Sequence, residues 1–171
     1  MSTPSLPDAE ALYGALRDLV ADHIGRAGVP VQLVGIDSGG AWIAERLQRD
    51  LGRPGAAGVV SSSMHRDDFA RRGLAASAQT QLGFDVNGAH VLLVDDVLYT
   101  GRTLRAVINE LFDHGRPASV RLAVLADRGG RELPIEPTLC AARLSVPSGH
   151  SLELRRADDG RLHFRLESLQ P

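Results

Sequence analysis

Apolar residues along this chain follow several distinct rhythms. Val91-Leu92-Leu93-Val94 run unbroken into Asp95-Asp96, the pattern of a strand buried on both faces, as in a parallel sheet. Leu104, Val107, Ile108 and Leu111 follow at helical spacing, which predicts a crossover helix over 103–114, ended by Gly115 with Pro117 beyond. Residues 31–36 and 120–125 repeat the buried-strand pattern, and 59–64 add a further strand. Upstream, Ser5-Leu6-Pro7-Asp8 has the form of a capping box opening a helix with Leu12, Leu16, Leu19 and His23 on one face, ended by Gly25 and Gly28. A second helix over 41–51 has Trp42, Ile43, Leu47 and Leu51 as its apolar positions and stops at Gly52. Beyond residue 139 the rhythm changes to period two, in 139–144, 152–154 and 162–166 around Asp158-Asp159-Gly160, which predicts strands with a hairpin turn. Strands alternating with helices give an α/β class with a mostly parallel sheet.

The loop after the central strand holds the densest chemistry. Open α/β sheets bind ligands at the carboxyl ends of their strands, and there the chain has Asp95-Asp96-Val97-Leu98-Tyr99-Thr100-Gly101-Arg102-Thr103. Thr100, Gly101 and Thr103 fall at a helix start, where N–H groups lack partners and the dipole is positive, so a phosphate fits. Gly101 permits close approach or a positive φ, and Thr103 is expected to double as the N-cap. Asp95 and Asp96 would repel that phosphate. They suit neutral sugar hydroxyls, or a magnesium ion that keeps most of its waters. A phosphate cradle with two acids just upstream suggests a ribose 5-phosphate site. A dinucleotide fold competes, but Gly-x-Gly-x-x-Gly is missing, as is the longer glycine loop ending in Gly-Lys-Ser/Thr.

Two other segments bear on the same edge. Asp37-Ser38-Gly39-Gly40 follows the first strand, and a glycine pair ahead of a helix is a candidate pyrophosphate loop beside the first site. Residues 65–88 form a long stretch rich in Arg, Asp, Gly, Ala and Gln, with Arg66, Arg71 and Arg72 near its base. Loops of this length in compact domains are usually functional, and this one reads as a lid that closes over substrate with Arg66 brought to the pyrophosphate. Asn87-Gly88 is a turn before the central strand. Asp127-Arg128-Gly129-Gly130-Arg131 ends the next strand, and there Arg128 has Asp127 and Glu132 as ready ion-pair partners.

Residues 95–103 resemble the phosphoribosyl pyrophosphate (PRPP) signature of type I phosphoribosyltransferases, and with Tyr99-Thr100-Gly101-Arg102-Thr103 they resemble one branch, the PyrR family. Its members are pyrimidine operon regulators that are also uracil phosphoribosyltransferases. The likeness extends through 121–135, 33–36 and 65–69, about two-thirds of the chain. It implies a type I phosphoribosyltransferase fold with a core over about 28–130, a flexible loop over about 65–88 and a β-rich hood over about 131–171, all in one domain. It implies transfer from PRPP to uracil, giving UMP and pyrophosphate, with Mg²⁺ required. The residues carried over are Asp95, Asp96 and Arg66 as catalytic, with Ser38, Gly39, Val97, Leu98, Tyr99, Thr100, Gly101, Arg102, Thr103, Arg128 and Val146 binding substrate, Val146 near the pyrimidine. No side chain is expected to ligate the metal directly. A dimer or larger homo-oligomer is implied, for which the apolar face of the first helix is available.

The chain departs from the family at three places. Asp37-Ser38-Gly39-Gly40 stands where the family commonly has Lys-Thr-Arg-Gly, so pyrophosphate loses a direct cation. Gly130 stands where histidine is frequent, and Pro147-Ser148-Gly149-His150 replaces a lysine-rich tail. Arg17, Arg131 and Arg143 remain as contacts for a pyr leader mRNA, and His23 lies on a helix that borders the family's RNA face. Two alternatives therefore stand beside the uracil enzyme: an RNA-binding attenuation regulator with weak or no transferase activity, and a type I transferase for hypoxanthine or orotate.

Composition narrows the picture further. The 171 residues suffice for one domain with a substantial core, and 43% hydrophobic content is ordinary for a globular protein. A formal net charge of −2 gives no global nucleic-acid footprint. All nineteen basic residues are arginine. One cysteine, Cys140, excludes an internal disulfide and fits a reducing compartment, and its environment is expected to be that of a small buried thiol. The six histidines show no paired spacing for structural zinc. No apolar run approaches the roughly eighteen residues of a membrane span and no signal peptide is evident, so a cytoplasmic location is expected.

Overall fold

The computed structural model describes residues 5–62 and 79–169. Its elements are α1 (Ala9–Arg26), β1 (Val31–Ile36), α2 (Gly39–Asp50), β2 (Gly58–Val60), β3 (His90–Leu98), α3 (Arg102–Asp113), β4 (Ser119–Asp127), β5 (Leu139–Arg143), β6 (His150–Arg156) and β7 (Leu162–Ser168). Strands β2-β1-β3-β4-β5 form one sheet in that order, every pair parallel. The order reverses between β1 and β3, and the crevice at such a switch point is where open parallel sheets bind ligands.

Strand alternation assigns the two faces. Val31, Leu33, Leu92, Val94, Ala123 and Leu125 pack against α1, against Ile43 and Leu47 of α2, and against the β6–β7 hairpin. Val34, Ile36, Val91, Leu93, Leu122 and Val124 pack beneath Leu104, Val107 and Leu111 of α3. The hairpin is antiparallel, with Leu152, Leu154, Leu162 and Phe164 inward and polar residues between them. Each fully buried side chain of this kind contributes roughly 1.5–3 kcal/mol.

Several boundaries differ from the sequence expectation. Asp8, not Ser5, caps α1: its carboxylate accepts from the N–H groups of Glu10 (2.9 Å) and Ala11 (3.4 Å), which leaves Pro7 outside the helix. The buried stripe of α1 is Ala9, Tyr13, Leu16 and Val20, while Leu19 is 39% exposed. That rotation is fixed by polar anchors. Tyr13 donates its hydroxyl to Asp50 (2.7 Å), the Arg46 guanidinium stands 4.0 Å from the Tyr13 ring centroid, and Glu10 accepts both Arg46 amines at 2.9 and 2.8 Å. Glu10 also accepts from the Leu162 N–H at 2.7 Å. The core thus takes the Tyr13 side of α1 and leaves Leu19 at the surface.

Strand β5 completes the parallel sheet instead of joining the hairpin. Among the described residues β2 ends at Val60, with Ser61 and Ser62 buried beyond it, and its outer side is closed by a single antiparallel bridge between Val59 and Gln81. The expected turn at Asn87-Gly88 is present, with Gly88 at φ +74° and Asp85 accepting from the Asn87 N–H at 2.9 Å. No helix among the described residues is long and apolar enough to cross a membrane.

Candidate active site

Three loops meet at the carboxyl ends of β1, β3 and β4. The first enters α2 through Asp37-Ser38-Gly39-Gly40, with Ser38 as N-cap residue and the Asp37–Ser38 peptide cis. Ser38 makes no side-chain cap bond, and its carbonyl accepts from the Ala41 and Trp42 N–H groups at 3.1 and 3.2 Å. The glycines are demanded by packing. A Cβ on Gly40 would collide with the Val94 carbonyl, and one on Gly39 would collide with the Asp96 carboxylate. Only hydrogen at both positions lets the start of α2 lie directly against the end of β3, so this loop and Asp96 share one crevice.

The two acids are not equivalent. As neighbours on a strand they point to opposite faces. Asp95 is 7% exposed on the α3 side and accepts from the Asp96 N–H at 2.9 Å. Asp96 faces the α2 loop and accepts from the Val97 N–H at 2.7 Å, which leaves Oδ2 toward Gly39. No group of three or more His, Cys, Asp or Glu able to hold a metal occurs among the described residues.

The second loop is Tyr99-Thr100-Gly101. Gly101 is the residue before α3, at φ +92°, a conformation that favours glycine. Thr100 Oγ1 accepts from the Arg102 N–H at 3.2 Å, and Thr103 lies inside the helix, so Thr103 is not the N-cap expected from the sequence. The first-turn N–H groups still face outward without intrahelical acceptors. Behind the loop the segment after β4 acts as a brace: the Thr100 carbonyl accepts from Glu132 and Leu133 at 2.9 and 3.2 Å, and Leu133 and Ile135 pack on Gly101. Arg102 points away from the cradle and pairs with Glu132 at 2.6 Å. Val97 and Leu98 lie in the strand itself, Val97 packed on the α1-side core and Leu98 buried beneath α3.

The third loop redistributes the expected ion pairs. Arg131, not Arg128, takes Asp127, at 2.8 and 2.7 Å, and also donates to the carbonyls of Tyr99 (2.9 Å) and Ile135 (2.6 Å). The Arg131 guanidinium holds the Asp127 carboxyl below the usual carboxylate range. Arg131 is therefore an internal staple, and the expectation that it is free to meet RNA fails. Glu132 being taken by Arg102, Arg128 has no carboxylate partner among the described residues. Its guanidinium lies 3.9 Å from the Tyr99 ring centroid and donates to the His150 carbonyl at 3.2 Å, while its buried Nε has no hydrogen-bond partner there. Tyr99 itself is 47% exposed, and a Cβ on Gly130 would press on its ring.

Val146 follows β5 in the chain. It lines a cavity of about 280 Å³ with Leu6, Pro7, Leu144, Leu152 and Leu166, and no residue of 95–103 lines that cavity. Arg66, Arg71 and Arg72 fall outside the described residues. Cys140 is half-buried on β5, its thiol donating to the Ala142 carbonyl and pushed up in pKa by burial, in keeping with a structural thiol. The stapling role of Arg131 went unpredicted, and the only cue was the spacing of Asp127 and Arg131.

Comparison with known proteins fits this geometry. Residues 2–140 match the phosphoribosyl transferase domain family. In solved structures the fold is similar to a hypoxanthine-guanine phosphoribosyltransferase from Bacillus anthracis, with TM-score 0.64 and 18% identity over 84% of this chain and 86% of that one. It is also similar to the hypoxanthine phosphoribosyltransferase from Trypanosoma cruzi, with TM-score 0.62 and 21% identity over 83% and 82%. These likenesses establish the fold, and the family match over 2–140 gives the class, a phosphoribosyltransferase. Among curated relatives the chain is 54% identical to a bifunctional protein PyrR from Ralstonia nicotianae, over 90% of this chain and 88% of the relative. A Pseudomonas aeruginosa protein of the same name is 42% identical over 88% and 89%. The chain belongs to the PyrR family of phosphoribosyltransferases.

Proposed function

We propose that this chain, working as one phosphoribosyltransferase domain over 1–171, transfers ribose 5-phosphate from PRPP to uracil, giving UMP and pyrophosphate. The observation that carries the reading is the shared crevice: Asp96 against Gly39, beside the start of α3 at Thr100-Gly101. In this reading the N–H groups of 101–104 with Thr100 and Thr103 hold the 5-phosphate, where charge-assisted bonds contribute roughly 1.5–3 kcal/mol each. Asp96 accepts a ribose hydroxyl. Ser38 and Gly39 present N–H groups to the departing pyrophosphate, with Arg66 as the added cation. The bond from the anomeric carbon to pyrophosphate breaks and one from that carbon to the pyrimidine nitrogen forms, the nitrogen's proton being lost. Positive charge grows on the ribose as this happens, so positioning and electrostatics carry the rate. In the same reading Arg128, stacked on Tyr99, orients the base or its nucleotide product, and Val146 contributes to the pyrimidine side of the hood.

The residues fit Mg²⁺ in one way only. A lone partly exposed carboxylate such as Asp96 suits an ion that retains its waters and binds chiefly through substrate phosphates. That ion would neutralise pyrophosphate charge. A panel assay of uracil, orotate, hypoxanthine and guanine with PRPP and Mg²⁺ tests the reading: UMP formation is expected, and turnover confined to another base overturns it.

A second activity is favoured by the word "bifunctional" in the relatives' name. In this reading the UMP-loaded protein binds a pyr leader mRNA and so regulates pyrimidine genes in the cytoplasm, as a homodimer or larger assembly. Arg17, 43% exposed in its pair with Asp18, and exposed Arg143 remain as contacts once Arg131 is excluded. Gel shift of a leader RNA with and without UMP tests it. Absent or salt-independent binding removes it.

A further inference from the structure

At the amino end of the sheet the apolar ladder on the α1 side gives way to polar residues. Val31, His90 and Ser119 are paired across β1, β3 and β4, and Arg121 lies two residues further along β4 on the same face. Higher up, these columns hold Leu33, Leu92, Val94, Ala123 and Leu125, all core. The last turn of α1 stands over this row, and the space between is a cavity of about 420 Å³, lined by His23, Arg26, Val29, His90, Ser119 and Arg121, among others. No carboxylate lines it. Its size falls within the roughly 300–1,000 Å³ of small-molecule pockets.

The chemistry of the lining is consistent. His90 Nδ1 lies 2.8 Å from the Ser119 hydroxyl, which fixes the ring. Arg121 has no carboxylate partner among the described residues. Arg26 pairs with Asp22 at 2.8 Å, but both are well exposed, and such pairs are readily exchanged. Arg53 donates to the Val31 carbonyl at the same edge. The end of α1 carries partial negative charge, and His23 and Arg26 answer it. His90 and Arg121 sit on strands, where that explanation does not reach, and Val29, 43% exposed, offers an apolar wall beside them.

We propose that this cavity is a second ligand site, on the opposite edge from the transferase loops, which takes a small phosphorylated molecule with a flat apolar ring, the chemistry of a nucleotide. The anionic group sits between Arg121 and Arg26, and the ring rests on Val29 and Val31.

The probes are UMP and GMP, titrated by calorimetry into the full chain. A Thr100→Val variant disables the transferase edge, and there one nucleotide equivalent is expected to remain. Adding Arg121→Glu, or Arg121→Gln should the first fail to fold, is expected to weaken that binding roughly tenfold or more. Arg121→Glu alone is expected to retain transferase activity within about twofold of wild type, because no substrate contact is removed. The idea is overturned if Thr100→Val abolishes all mononucleotide binding, or if the Arg121 variants bind as tightly as the parent. It is also overturned if Arg121→Glu changes only the oligomeric mass or only the affinity for leader RNA. Loss of transferase activity in Thr100→Val bears on the proposed reaction alone, so the two readings fail separately.

Discussion

At the carboxyl ends of β1 and β3 the Asp96 carboxylate, two glycines and the start of α3 converge; at the amino end of the same sheet His90 stands with Ser119 and Arg121 beneath His23 and Arg26. The first region is tight, with backbones in contact and hydrogen bonds committed. The second is open and rich in arginine and histidine, with no carboxylate lining it. A sheet whose strands all run one way has chemically distinct ends, because turns entering helices collect on one and turns leaving them on the other. Tolerance to substitution should therefore differ between the two ends.

The sharpest way to break this comparison is Gly40→Ala. The new methyl meets the Val94 carbonyl, which belongs to the central strand and cannot retreat, so destabilisation of about 3 kcal/mol or more is expected in a urea melt. Arg131→Ala leaves Asp127, 5% exposed, without its cation and should cost roughly 3 kcal/mol, again read from denaturation. Asp96→Asn and Thr100→Val should each lower activity at least about tenfold, a barrier increase of roughly 1.4 kcal/mol, with the fold intact by circular dichroism. Wild-type rates in both would place the ribose phosphate elsewhere.

Acid separates the ends as well. Arg131 lowers the folded-state pKa of Asp127, and Arg46 does the same for Glu10. Stability from these pairs is complete above the ordinary carboxylate range and is lost as pH falls through the lowered values, below about pH 4. A melt series from pH 6 to pH 3 should show the loss, and Arg131→Ala should shrink it. The smallest effect is expected from Arg26→Ala at the open end, within about 0.5 kcal/mol in stability, because its pair with Asp22 is exposed.

Much of the carboxyl edge was legible in the sequence. Val91-Leu92-Leu93-Val94 read as a doubly buried strand, and Thr100-Gly101 ahead of an amphipathic run announced a helix start, so the α/β fold followed from local pattern, while the transferase class came from the resemblance of 95–103 to the PRPP signature. The failures came where partners distant in sequence decide. Spacing alone could not choose between Arg128 and Arg131 for Asp127, because the carbonyls of Tyr99 and Ile135, which also hold Arg131, come from other segments. The face of α1 was misjudged for a similar reason: Asp50 and Arg46, on another helix, draw Tyr13 inward in place of Leu19. The sequence set the Gly39 loop beside the Asp95-Asp96 site, but the direct approach of Gly39 to Asp96, which a side chain at 39 would block, had no signature in either segment.

Glu10 has one further implication. A single carboxylate ties the first helix to Arg46 in the second and to the backbone of Leu162 in the terminal hairpin, 152 residues away. Trimming the hairpin would take one donor from that carboxylate and leave it to Arg46 alone, so a deletion downstream of residue 149 should loosen the anchoring of the amino-terminal helix.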